Sequence, residues 1–218
     1  MSRKILFVLM GGLLLFLASC GTFSSVEGNG NIVTTSRDIP EVANISFGGS
    51  YKVIIQNGPS SKVILKGDEN ILPLIHTDVQ GNELKITTDH HSINPSQQIV
   101  INITVPNIEE IDASGSNEIS LKNITTDYLE VHVSGSNRLT ATGSAKTFKL
   151  DGSGSARVNA QNLKADVVDV SMSGSTHSVV YASKGLKTKI SGSGKLIVYG
   201  HPDHTDMHTS GSASVTMK

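Results

Sequence analysis

The stretch Ile111-Asp112-Ala113-Ser114-Gly115-Ser116-Asn117-Glu118-Ile119-Ser120-Leu121 decides the fold. Apolar residues stand at even offsets from its central glycine: Ile111 and Ala113 before it, Ile119 and Leu121 after it. An even period puts those side chains on one face of an extended chain, and Ser-Gly-Ser between them is turn chemistry. The tripeptide returns as Ser134-Gly135-Ser136, Asp151-Gly152-Ser153, Ser173-Gly174-Ser175, Ser191-Gly192-Ser193 and Ser210-Gly211-Ser212. Its glycines are spaced 20, 17, 22, 18 and 19 residues apart, a mean of about 19. The apolar flanks return with it: Val131 and Val133, Phe148 and Leu150, Val170 and Met172, and Ile190 before the glycine; Leu139, Val158, Val180, Leu196 and Val198 after it.

About 19 residues with one apolar stripe cannot close a core alone, but stacked copies bury their stripes against one another. The repeat therefore predicts an all-β fold, a parallel β-helix or solenoid of about six Ser-Gly-Ser coils, each about 4.8 Å from the next. Residues two after each glycine (Asn117, Asn137, Gly154, Thr176, Gly194, Ala213) continue the inward parity. Asn117 and Asn137 are expected to begin a buried amide ladder. The serines beside each glycine point outward and form two hydroxyl ridges: Ser114, Ser116, Ser134, Ser136, Ser153, Ser173, Ser175, Ser191, Ser193, Ser210 and Ser212. Small, turn-compatible side chains whose hydroxyls satisfy corner backbone groups explain them first; a ligand ridge is the functional alternative.

Upstream, Ile45 to Ile55 carries the same stripe around Gly49 and reads as a diverged first coil. Val63–Lys66, Leu84–Thr88 and Ile99–Val105 are further strand candidates, and Pro73 limits any helix after Asp68-Glu69-Asn70 to one turn. Residues 43–218 are thus one domain, with an N-terminal all-β layer over 43–110 and regular coils over 111–218.

Composition narrows the function. Of 218 residues, 29 are Ser and 21 Gly, with no Trp. Eighteen Lys and Arg against 19 Asp and Glu leave no cationic surface for nucleic acid. A single cysteine allows neither an intrachain disulfide nor a Cys-based zinc site. That cysteine follows Arg3-Lys4, an apolar run from Ile5 to Leu17, and Ala18-Ser19. This is the layout of a signal peptide over 1–19, and Leu17-Ala18-Ser19-Cys20 resembles the lipobox of bacterial lipoproteins. Cys20 is the expected lipidation site, residues 20–42 the expected flexible tether, and the membrane the expected partner through that lipid.

The lipobox, Phe47-Gly48-Gly49-Ser50-Tyr51-Lys52-Val53, Gly67-Asp68-Glu69-Asn70-Ile71, Val100-Ile101-Asn102-Ile103-Thr104-Val105-Pro106 and the Ser-Gly-Ser coils, in that order, resemble the putative auto-transporter adhesin, head GIN domain family, common as lipoproteins in Bacteroidetes. The resemblance spans roughly 43–200. It implies a right-handed β-helix, an envelope location and a role in adhesion or surface structure; with the lipid on Cys20, the outer membrane is the expected site, on either its periplasmic or its surface face. It supplies no catalytic residues.

Chemistry-bearing clusters are sparse. His201, His204 and His208, with Asp203 and Asp206, are the densest group of metal-ligand types, but they fall in and beside a loop between coils, so a solvated loop is the expectation and no metal or cofactor is assigned. His90-His91 reads the same way. A polysaccharide-cleaving β-helix needs convergent carboxylates and bases on one face, and beside the corners only Asp151 and Lys189 stand out, so catalysis is not expected. Binding of a surface glycan or protein stays open, with Tyr51, Tyr128, Tyr181 and Tyr199 as the available rings. Val215 and Met217 point inward with no cap following in the sequence given, so a homo-oligomer through the open solenoid end is expected.

Overall fold

In the computed structural model, which describes residues 25–89 and 92–218, the apolar stripes become stacked strands. The N-terminal layer holds β1 (Ser25–Glu27), β2 (Ile32–Asp38), β3 (Asn44–Gly49), β4 (Lys52–Asn57), β5 (Lys62–Asp68), β6 (Ile75–Gln80), β7 (Glu83–Thr88), β8 (Ser92–Asn94) and β9 (Val100–Val105). The coils are β10 (Glu110–Gly115), β11 (Glu118–Gly135), β12 (Arg138–Gly154), β13 (Arg157–Gly174), β14 (His177–Gly192), β15 (Lys195–Tyr199), β16 (His204–Gly211) and β17 (Ser214–Met217). Among the described residues the one helical element is a single 3-10 turn, Leu72–Leu74, with Pro73 inside it. Cys20 and the His90-His91 pair lie outside the described residues.

Consecutive coils pair in parallel, and the register corrects the repeat. Gly115 pairs with Gly135, and Gly135 with Gly154, not with Gly152. The third corner is therefore Ser153-Gly154-Ser155, two residues beyond the expected one, and all six corners are true Ser-Gly-Ser. Corner glycines 115, 135, 154, 174, 192 and 211 have φ between +78° and +93°, whereas Gly152 is absent from the positive-φ set. Stacking adds a second demand, because a Cβ on Gly135 would lie 2.4 Å from the Gly115 carbonyl oxygen. That carbonyl accepts the Ser136 amide at 2.8 Å, and the same bond recurs from Ser155 to Gly135 and from Ser175 to Gly154. The expectation that serine hydroxyls satisfy the corner backbone gives way to this: backbone amides do it, and the hydroxyls face outward.

Beneath the corners lies the amide ladder. Asn117 Nδ2 donates to Asn137 Oδ1 at 3.0 Å and to the Ser114 carbonyl at 2.7 Å, while Asn117 Oδ1 accepts the Tyr51 amide at 3.0 Å. Asn137 repeats the contact with the Ser134 carbonyl. Both residues are 3% exposed, so these bonds satisfy groups that water cannot reach. With the register corrected, the next positions are Ala156 and Thr176, and the ladder ends after two rungs.

Gly49 pairs with Gly115, and β4 pairs with β11, so β3 and β4 form the first coil. Antiparallel pairs then finish that end: β2 with β5, β5 with β9, and β6 with β7. Here the structure departs from the tether assigned to 20–42, because β1 pairs with β8 and β2 runs the full length of β5. The anchor of this segment is Asp68, wholly buried, whose carboxylate accepts the Gly30 amide at 2.8 Å and the Ser96 amide and hydroxyl at 2.9 and 2.6 Å. Small polar residues hid the strands, since β2 buries only part of Ile32, Val33 and Arg37. Arg37 turns inward at the edge, donating to the Ile75 and Leu72 carbonyls.

Candidate ligand-binding face

Because the coils are in register, outward residues before each corner line up in columns. One column reads Glu110, Glu130, Lys149, Asp169, Lys187, Asp206; the next reads Asp112, His132, Asp151, Ser171, Lys189, His208; the third is the serine ridge Ser114, Ser134, Ser153, Ser173, Ser191, Ser210. Rungs sit one strand spacing apart, about 4.8 Å. Asp151 thus belongs to the middle column and Ser153 to the first ridge, with Ser155 joining Ser116, Ser136, Ser175, Ser193 and Ser212 on the second ridge.

Small residues at Gly152, Ser153, Ser171 and Ser173 leave a groove of about 400 Å³ in this face, with Asp112, His132 and Asp151 toward one end and Lys189 at the other. Met172 and Val133 form part of its floor. Its acidic end is ion-paired. His132 lies 3.1 Å from Glu130 through Nε2 and 3.5 Å from Asp151 through Nδ1, and Lys149 bridges Glu130 and Asp151, 3.3 Å from the latter. The Lys149 ammonium and the Tyr128 hydroxyl, in that order, hold the Glu130 carboxyl below its ordinary range, and Glu130 in turn raises Lys149. Tyr128 rises as well, chiefly because its hydroxyl bonds to the Glu130 carboxylate.

Among the described residues, the ligand atoms of Glu130, His132 and Asp151 converge, within 4.8 Å of one another. For a divalent cation to sit there, Lys149 would have to leave, because its ammonium already bridges the two carboxylates. His201 and His204 are exposed, and His208 pairs with Asp206 at 3.1 Å on the outer side of β16. The tyrosines fall in three places. Tyr51 is buried with its hydroxyl 2.6 Å from Thr88 Oγ1; Tyr128 stands beside Glu130; Tyr181 and Tyr199 are register neighbours, with Lys164 3.8 Å above the first ring and Lys218 5.9 Å from the second.

Sequence reasoning passed over Glu110, Asp112, Glu130, His132 and Lys149. They sit three and five residues before corner glycines, on outward parity, so a correct third corner would have gathered them into columns.

A parallel β-solenoid with in-register polar columns on one face belongs to the class of solenoid repeat proteins. Within that class the chain belongs to the putative auto-transporter adhesin, head GIN domain family, whose model matches residues 43–202. A putative adhesin from Bacteroides fragilis has the same fold, with a TM-score of 0.75 at 20% identity over 89% of this chain and 100% of that one. A putative adhesin from Parabacteroides distasonis aligns with a TM-score of 0.59 at 15% identity over 89% and 98%. A putative lipid binding protein from the same species aligns at 0.55 and 20% over 89% and 100%. At these identities the likeness is one of fold. A search of curated proteins found no match.

Proposed function

We propose that the chain is a non-catalytic adhesion or surface-interaction module of the cell envelope, anchored by lipid on Cys20, which holds a polar ligand against the columned face. The observation that carries this reading is the groove between Asp151 and Lys189, where hydroxyls, a carboxylate pair and a lysine are lined up at coil spacing on a rigid scaffold. Family membership supports an adhesive, surface-exposed role. Lys149 and His132 engage the Glu130 and Asp151 carboxylates at the acidic end, which favours a charge-paired binding surface over a free general acid and base. The ligand class that fits best is a surface glycan, since serine hydroxyls and paired charges match a polyol bearing ionic groups; a polar protein surface is the other occupant the groove admits.

Glycan-array binding by the chain from Thr22 to Lys218 tests the reading, with Asp151→Asn, Lys189→Met and Ser173→Ala as groove variants. Saturable binding weakened tenfold or more by these changes, with unchanged thermal unfolding, is the expected result. Release of shortened oligosaccharides from a bound polymer would overturn the non-catalytic assignment.

A further inference from the structure

The last coil leaves its inner layer uncovered. Met207, Val215 and Met217 continue the core columns, yet Met207 is 46% and Met217 41% exposed, whereas Ile190, Leu196 and Val198 one coil earlier are buried. At the opposite end Ile71, Leu72 and Ile75, within and beside the antiparallel strands, are buried, so among the described residues these three leave no matching bare layer there. Among the described residues β16 pairs with β14 alone, so its other backbone edge is free.

We propose that this end pairs with the same end of a second copy, β16 lying antiparallel to its equivalent across a two-fold axis at Met207. Directly opposed residues of an antiparallel pair share a face, so inner residues must oppose inner ones and the axis must pass through a residue. Placed at Met207, it sets His204 against Ser210, Thr205 against Thr209 and Asp206 against His208 of the second copy. Placed at Asp206 or His208, it would set like against like. Only the Met207 register joins nearly the whole of β16 (His204–Gly211) while setting each carboxylate opposite an imidazole that can donate to it. Asp206 and His208 already stand 3.1 Å apart within one chain, with Lys187 beside the first and Lys189 beside the second in β14. The axis therefore closes a ring of two aspartates and two histidines flanked by lysines. Met207 packs on its mate with the adaptability of a thioether, and two Thr pairs flank it on the inner face.

This assembly needs no groove ligand, and Lys189, which the groove and the ring share, stays unaltered in its tests. Light scattering on the chain from Thr22 to Lys218, which carries every strand and the whole core described above, is expected to give twice the chain mass. Asp206→Lys and His208→Asp are each expected to give the single-chain mass, and an equimolar mixture of the two to give the doubled mass again, because the new cation then faces the new carboxylate. Met207→Cys, in a chain without Cys20, is expected to form a disulfide-linked dimer, since directly opposed strand residues lie within disulfide reach. Thermal unfolding of each variant separates dissociation from misfolding. A single-chain mass for the unaltered chain at high concentration, or a dimer indifferent to all three substitutions, overturns the pairing.

Discussion

Exchanging glycine for alanine at Gly154 and at Gly152, two residues apart, measures the stacking register directly. At Gly154 the backbone has φ +86°, and a Cβ would stand 2.6 Å from the Gly135 carbonyl oxygen. The positive φ alone costs about 1–2 kcal/mol. Moving the Gly135 carbonyl to relieve the clash breaks its 2.9 Å bond from the Ser155 amide, which adds about 1–3 kcal/mol for a backbone group left without its partner. The reduced freedom of the unfolded chain returns about 0.4–1 kcal/mol. Gly154→Ala should therefore destabilise by about 1–4.6 kcal/mol, with a centre of about 3 kcal/mol that corresponds to roughly 6–12 °C in melting temperature for a domain of this size. At Gly152 the added methyl meets Met172 Sδ at 2.5 Å and Cε at 2.8 Å, the far end of a flexible side chain, and the cost stays near the lower end of overpacking, about 1 kcal/mol. Equilibrium urea denaturation with thermal scans reads both. Equal effects, or a larger one at Gly152, would refute the corner assignment and the carbonyl stacking that rests on it.

Asn137→Ala strips the Asn117 amides and the Ser134 carbonyl of a buried partner and leaves a small void, so denaturation should show a loss of about 3 kcal/mol; a loss below about 1 would mean that water or a shifted backbone replaces the ladder. Thr188 Oγ1 is buried without a hydrogen-bond partner, so Thr188→Val, which keeps the shape, should stabilise by about 1 kcal/mol, and a melting temperature that falls would contradict this account of the hydroxyl. Acid should loosen the N-terminal strands first. The Ser96 hydroxyl, then the Gly30 and Ser96 amides, hold the Asp68 carboxyl below its ordinary range. Ionised Asp68 thus favours the folded state above the unfolded value of about 3.9, and that contribution fades as pH falls through the lower folded value. Hydrogen exchange, corrected for intrinsic rates, should show Gly30 and Ser96 losing protection over that acid range, and protection that does not change with pH would contradict the role given to Asp68.

The solenoid could be read from the sequence because each coil repeats one short rule: apolar residues at even offsets around a turn glycine. Where two glycines satisfied that rule within one coil, at 152 and 154, the offsets alone did not choose between them. Backbone stacking does, because a carbonyl waits beneath Gly154, whereas side chains alone, Met172 and Val133, stand beside Gly152. The slip then scattered the charged columns, so Asp151 stood alone beside the corner and its partners Glu130, His132 and Lys149 went unread. The N-terminal strands were hidden for a different reason. Their side chains are small or polar, and what fixes them is an edge register with β5 and a buried carboxylate, Asp68, whose partners are 28 and 38 residues away. The exposed inner face of the last coil was visible in advance, since Val215 and Met217 keep inward parity to the end of the stripe.

The most direct test of the groove as the contact surface is a binding isotherm for the best glycan from the array, measured with the unaltered chain and with Lys189→Met. Saturable binding that drops tenfold or more in the variant, at equal melting temperature, is the result the account predicts. Binding of equal strength in both would contradict it and move the contact surface away from the columned face.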